Sequence, residues 1–274
     1  MKDGRARDLP DFRAAPIEQC MSPEFGTNRT AIVTGGARRI GAAMVRALAD
    51  GGWHVLIHCH HSVAEASKLA ESCPAARVVS ADLAAEGGPE RVIGALEDMP
   101  PPGLLINNAS SFVLDGLDDF SIEAWDRHMA ANARGPALLS RAFAAAVPAG
   151  AAALIVNMLD AKLLQPNPDF FSYTISKMAF AGVSELLARS YAGRGIRVNA
   201  IAPSVTLVSG PQSRENFDKV HRMNALRRGV DVDDVVRALR FLIDSPTMTG
   251  QTITIDGGQR FLSLPRDVQF MEPQ

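Results

Sequence analysis

Seven short apolar runs, each separated from the next by a stretch of helical spacing, constrain this chain more than any other feature of its sequence. They occupy residues 31–34, 54–58, 77–80, 104–107, 153–157, 197–201 and 252–256. Most have apolar centres without alternation, the pattern of strands covered on both faces. Between them apolar residues recur at three-to-four spacing, as at Met44, Val45 and Leu48 and again at Leu186 and Leu187. Strand and helix in succession predict a parallel sheet wrapped by helices. No period of about 20–50 residues repeats and no low-complexity linker divides the chain. A length of 274 residues, 47% of them hydrophobic, suffices to fill one core. The expectation is a single-domain, doubly wound α/β fold with a mostly parallel seven-stranded sheet.

Charge and cysteine content narrow the functional classes. A net charge of −2 gives no footprint for nucleic acid or an anionic membrane. Cys20, Cys59 and Cys73 form an odd, sparse set without metal-ligand spacing, which points to reduced thiols, a cytoplasmic protein and no metal centre. The first 28 residues interleave Lys2, Arg5, Arg7 and Arg13 with Asp3, Asp8, Asp11 and Glu18, and contain no continuous apolar stretch. Neither a secretory signal nor a transit peptide reads this way, so residues 1–28 are expected to be a mobile extension. The folded domain then spans 29–262 and a tail 263–274. Residues 142–159 are apolar, but Pro148 and Gly150 interrupt them, which predicts a buried helix, a turn and a buried strand rather than a membrane span.

Thr34-Gly35-Gly36-Ala37-Arg38-Arg39-Ile40-Gly41 follows the first strand and opens the first helix. Small residues here let the backbone approach a pyrophosphate at a helix N-terminus, the signature of a Rossmann-type dinucleotide site. Gly35, Arg38, Arg39 and Ile40 are the candidate contacts. The second strand ends in His58-Cys59-His60-His61-Ser62, with no acid until Glu65. A carboxylate at that point would select NAD by accepting from the ribose 2′-OH. Its absence, with Arg38, His61 and Ser62 as donors, favours the 2′-phosphate of NADPH, with His60 beside them. Three histidines within four residues of extended chain cannot converge on one ion.

Tyr173 and Lys177 stand one helical turn apart, on one face of a helix expected to begin near Phe171. A neighbouring ammonium is expected to lower the phenol pKa toward the working range. Asp160 ends the fifth strand, either as a turn or cap aspartate or as a hydrogen-bonding partner of Tyr173 that titrates with it as a coupled unit. Asn132 occupies a helical position that asparagine mildly disfavours. It can serve catalysis or make a helix-to-helix hydrogen bond.

Taken in order, these motifs over residues 29–262 resemble the short-chain dehydrogenase/reductase family: the turn at 34–41, Asp82 after strand three, Asn107-Asn108-Ala109 after strand four, Asn132, Tyr173-x-x-x-Lys177 and Pro203 after strand six. Two departures narrow the match. Arg39 replaces the usual middle glycine, and Asp160, thirteen residues before Tyr173, replaces the usual serine. Both look like the pteridine reductase branch, which includes the dihydromonapterin reductases, as do residues 107–112 and the pattern His58-x-His60-x-Ser62. Where such enzymes often carry arginine, this chain has His61.

The resemblance implies NADPH held also by Asp82, Leu83, Asn108, Ala109, Ser110, Tyr173, Lys177, Pro203 and Ser204, with Asp82 near the adenine or acting as a cap. It implies a catalytic set of Asp160, Tyr173, Lys177 and Asn132, the last supporting a water linked to Lys177. A dihydropterin would contact Arg39, Ser110, Phe112, Asp160 and Tyr173, its ring stacked on Phe112, with residues 204–224 contributing a lid. It also implies a homotetramer built on paired helices at 132–147 and 172–193. A ketone-directed carbonyl reductase and a non-catalytic NADP-binding sensor are the alternative readings.

Overall fold

The computed structural model describes residues 23–209 and 212–271. Seven strands, β1 (Thr30–Val33), β2 (His54–Cys59), β3 (Ala76–Ser80), β4 (Pro102–Asn107), β5 (Ala153–Met158), β6 (Ile196–Pro203) and β7 (Thr252–Ile255), form one sheet in the order β3-β2-β1-β4-β5-β6-β7. Every pairing is parallel. Each of the seven apolar runs overlaps one strand. β7 lies at the sheet edge and none of its residues is fully buried, which fits its alternating sequence.

Successive residues of β1 face opposite layers, as the pleat requires. Val33 packs with Met44, Val45 and Leu48 of α1 (Arg39–Asp50) and with Leu239 and Leu242 of α8 (Val232–Ile243). Ile32 points the other way, into a cluster with Val92 of α3 (Gly88–Gly94) and Leu139 and Phe143 of α5 (Gly135–Ala146). Two helical layers therefore sandwich the sheet. Strand order reverses between β1 and β4, and this switch point opens the crevice in which such sheets hold ligands.

Residues 142–159 form the end of α5, a turn and β5. Among the described residues no helix is long and apolar enough to cross a membrane. The boundary of the N-terminal extension moves. Phe25 is 2% exposed and meets Trp53 edge-on at 5.2 Å, while Glu24 pairs with Arg197. One aromatic in a polar stretch carries no periodicity, so the sequence does not reveal this docking. Residues 1–22 of the expected extension, and 272–274 of the tail, lie outside the described residues. The tail at 263–271 folds back over the crevice.

Candidate active site

The crevice is a cleft of about 580 Å³, within the range of about 300–1,000 Å³ usual for small-molecule sites. Its floor is made where β1 and β4 end. Asn108 Nδ2 donates to the carbonyls of Thr34 (2.8 Å) and Gly35 (3.2 Å), and Thr34 Oγ1 accepts from the amides of Asn108 and Ala109. Gly35 sits at φ +60°, and a Cβ there would fall 3.0 Å from the Ala109 backbone. A Cβ on Gly41 would lie 2.2 Å from the Gly35 carbonyl oxygen. The turn is thus compact enough for a ligand to approach its backbone.

Arg39 adopts φ +56°, a left-handed conformation that costs a non-glycine residue about 1–2 kcal/mol. Burial lowers its guanidinium pKa, and its side chain donates to the Val208 carbonyl. It therefore ties the turn to the segment after β6, which lines the cleft through Ser204, Val205 and Thr206. Ile40 at the start of α1 and Pro203 at the end of β6 also face the cleft. Arg38 lines it too, with its guanidinium 2.5 Å from Glu65.

The histidines separate into two roles. His58 is buried, its Nδ1 accepting from the Gly35 amide (3.3 Å) and its Nε2 donating to the Ala81 carbonyl (3.0 Å). Burial drives its pKa down to about 4, so it is a neutral brace beneath the turn. His60 and His61 are exposed and stacked with ring centroids 3.5 Å apart. His60 Nε2 lies 3.9 Å from Asp82, whose other oxygen accepts from the Ala84 amide. Asp82 thus caps a turn while facing His60. Ser62 begins α2 (Val63–Glu71) with no side-chain cap bond, and Leu83 is buried in the second core cluster. These five residues, His60, His61, Ser62, Asp82 and Leu83, cluster at the ends of β2 and β3 beside the cleft, not on its lining.

Asp160 performs both readings available from sequence. Its Oδ1 accepts from the Lys162 amide at 2.9 Å, capping a short helical turn, and its Oδ2 accepts from the Tyr173 hydroxyl at 2.8 Å. Tyr173 and Lys177 lie on α6 (Phe171–Tyr191). Lys177 Nζ donates to the Met158 carbonyl at 2.8 Å and stands 5.8 Å from the Tyr173 ring. The expected lowering of the phenol pKa is not found. Burial, then the Asp160 carboxylate, raise it well above the usual value. Burial also raises Asp160 and lowers Lys177 to about 8. Sequence spacing identifies the ammonium neighbour, whereas the opposing desolvation comes from packing around the cleft. The result is a phenol that holds its proton.

Asn132 occupies a π-helical turn (Ala130–Arg134) between α4 (Ile122–Met129) and α5. Its Nδ2 donates to the Ser111 carbonyl and Ser176 Oγ, both at 2.9 Å, and its Oδ1 accepts from the Ser111 amide (2.7 Å) and Ser110 Oγ (3.1 Å). The side chain is committed to bracing the 110–111 loop against α6, the helix-to-helix alternative. Ser110 and Phe112 on that loop face the cleft. Phe112 stacks on Phe170 at 4.2 Å and meets Tyr173 edge-on at 4.7 Å. A buried relay invisible in sequence fixes this loop. The Val113 amide donates to His128 Nε2 (3.2 Å), leaving Nδ1 to donate to Ser172 Oγ (2.6 Å), which in turn donates to Asp115.

A model of the enoyl-(acyl carrier protein) reductase family matches residues 35–260. L-xylulose reductase from Mesocricetus auratus is 30% identical over 239 residues, covering 84% of this chain and 96% of the relative. A solved structure of FolM alternative dihydrofolate reductase 1 from Brucella canis complexed with NADP superposes with a TM-score of 0.81 at 38% identity, covering 87% of this chain and 96% of the other. The angucycline C-6 ketoreductase LanV with bound NADP superposes with a TM-score of 0.78 at 26% identity, covering 86% and 96%.

Proposed function

The chain belongs to the short-chain dehydrogenase/reductase family, and we propose that within it the protein is a cytoplasmic, NADPH-dependent reductase of a dihydropterin-type C=N bond. The carrying observation is the 2.8 Å bond from Tyr173 to Asp160 in an aromatic-walled cleft. A serine at that point would polarise a ketone oxygen. A carboxylate that keeps the neighbouring phenol protonated suits a ring nitrogen that must receive a proton. The 38% identity to a FolM alternative dihydrofolate reductase supports the same reading. Names such as L-xylulose reductase and ketoreductase support the carbonyl alternative, which the substrate tests below discriminate.

The close-packed floor at Gly35 and Ala109 fits a dinucleotide lying across the switch point. NADPH supplies the hydride when bound. In this reading Arg38, His60, His61 and Ser62 face the 2′-phosphate, and Asp82 and Leu83 border the adenine. Asn108, Ala109, Ser110, Pro203 and Ser204 line the path to the nicotinamide. Lys177 holds the ribose near it, and Tyr173 Oη delivers the proton while Asp160 orients the hydroxyl, the Lys177 ammonium offsets the phenolate left behind, and solvent reprotonates it. Arg39, Ser110 and Phe112 contact the substrate, and Asn132 supports the loop beneath them.

Phe112 offers the direct test of a flat substrate. One face of its ring is covered by Phe170, and an aromatic stack on the other contributes about 0.5–1.5 kcal/mol beyond burial, or roughly 2- to 13-fold in affinity. Phe112→Ala is expected to raise KM for a dihydropterin by that factor and to leave a small aliphatic ketone nearly unaffected. An equal change for both substrates contradicts the stacking role.

Assembly is proposed as a homotetramer through α5 and α6. Met178 and Leu186 on α6 are 39% and 66% exposed, whereas Ala144 of α5 packs on the sheet and is unavailable for such a contact. Light scattering should give four times the chain mass. A monomer at micromolar concentration refutes the proposal.

A further inference from the structure

The segment after β7 carries no sequence motif, yet it closes the open side of the cleft. Ser263 at φ +49° turns the chain, and Leu264, Asp267, Val268 and Gln269 then line the cleft. Val268 is 5% exposed and anchors the segment by burial. Phe270 continues the aromatic stack, 6.1 Å from Phe170, whose other neighbour is Phe112.

Polar contacts hold this segment at one point. Asp169, only 8% exposed, lies two residues before α6. Arg266 Nε donates to both of its oxygens, at 2.9 and 2.8 Å, and the Asp267 amide donates to one of them at 2.7 Å. Burial alone would push the Asp169 carboxyl up, but the guanidinium and amide hold it below the usual carboxylate range. Lys162, two residues beyond Asp160, donates to the Asp169 carbonyl at 2.6 Å and lies 3.4 Å from Asp267. Asn216 on α7 (Arg214–Val220) donates to the Gln269 carbonyl at 3.2 Å. The tail thus joins the Asp160 loop, the start of the Tyr173 helix and the segment after β6.

We propose that the tail at 264–270 is the far wall of the substrate compartment, gripping the outer ring of a two-ring substrate, and that Asp169 and Arg266 are the positioning residues that hold it there. The proposal rests on the reductase reading and extends it from the reacting bond to the substrate's distal end. Neither residue touches the reacting atoms. Their effect passes through Asp267, Val268 and Gln269, so it falls on recognition of large substrates more than on the chemical step.

The test compares wild type, Arg266→Ala and Arg266→Lys, each as the full-length NADPH-loaded enzyme. Arg266→Ala is preferred to an Asp169 variant because the Arg266 side chain is 54% exposed and its loss endangers the fold less. Losing a charge-assisted pair that is partly solvent-screened is expected to raise KM for a two-ring dihydropterin about tenfold. A one-ring substrate should change little, and NADPH Kd should stay the same. Arg266→Lys should recover part of the loss, since an ammonium can pair with Asp169 but not through two parallel bonds. If wild type reduces no dihydropterin, the same comparison is run with a two-ring and a one-ring ketone, so failure of the pterin reading leaves this test intact. An unchanged preference for two-ring over one-ring substrates in the Arg266 variants, with thermal midpoints retained, overturns the proposal. So does a loss of NADPH affinity in step with the loss of substrate affinity.

Discussion

Replacing Tyr173 with phenylalanine is expected to cut turnover by about 10²–10⁴-fold, the usual contribution of a positioned general acid, while NADPH binding stays nearly intact. The ring fills the same space, and Phe112 keeps its edge-on neighbour. Only the hydroxyl that donates to Asp160 at 2.8 Å is lost. Retained full turnover with the phenylalanine variant would place the chemistry elsewhere. The wild-type pH profile follows from the same groups. Burial and Asp160 raise the Tyr173 pKa, so the proton to be delivered is present through neutral pH. Lys177, lowered by burial to about 8, loses its charge as pH rises through that value. The kcat/KM for reduction should therefore be level below this point and fall above it. A rate that climbs through pH 8 contradicts the assignment.

Asp160→Ser is the second large effect. Serine cannot span both the Lys162 amide and the Tyr173 hydroxyl as the carboxylate does. It also removes the negative charge that raises the phenol pKa. Dihydropterin reduction is expected to fall by at least about 10²-fold, the lower end of general acid–base contributions. Weak ketone reduction should persist or increase, because a neutral hydroxyl can donate to a carbonyl oxygen. Parallel loss of both activities would show that Asp160 serves mainly as the cap of the turn at Ala161–Leu164. Measuring Lys162 amide exchange in the variant separates that structural loss from the chemical one.

How far the sequence reveals these features depends on the range of the interactions that create them. β4 and β5 are legible because they are buried on both faces and so lack polar alternation. The turn at Gly35 and Gly41 is legible because the backbone approaches leave no room for a side chain. Tyr173 and Lys177 are legible because helical spacing alone places them together. Their titration is not, since the raised phenol depends on tertiary burial and on the charges of Asp160 and Asp267 brought beside it. The His128 relay joins residues 15 to 57 positions apart and follows no local pattern. Asp169 and Arg266 are 97 positions apart, and neither has an informative neighbour in sequence. Phe25 is missed for the same reason, as an isolated aromatic whose partner, Trp53, lies beyond α1.

Arg39 and Phe170 show where local preference yields to the site. Both hold left-handed backbone conformations without being glycine, at φ +56° and +54°. Arg39 lines the compartment and reaches the Val208 carbonyl, and Phe170 backs the ring of Phe112, which lines it. Strain of this kind persists where surrounding contacts over-determine the backbone, and it concentrates at functional clefts.

Steady-state NADPH oxidation by the purified wild-type enzyme distinguishes reduction of a pterin-type C=N bond from reduction of a carbonyl. Dihydromonapterin, dihydrobiopterin, dihydrofolate and a set of simple ketones would be compared at equal concentrations. The kcat/KM for at least one dihydropterin is expected to exceed that for every ketone. Ready reduction of ketones with no turnover of any dihydropterin would contradict the pterin reading and establish the carbonyl reductase reading in its place.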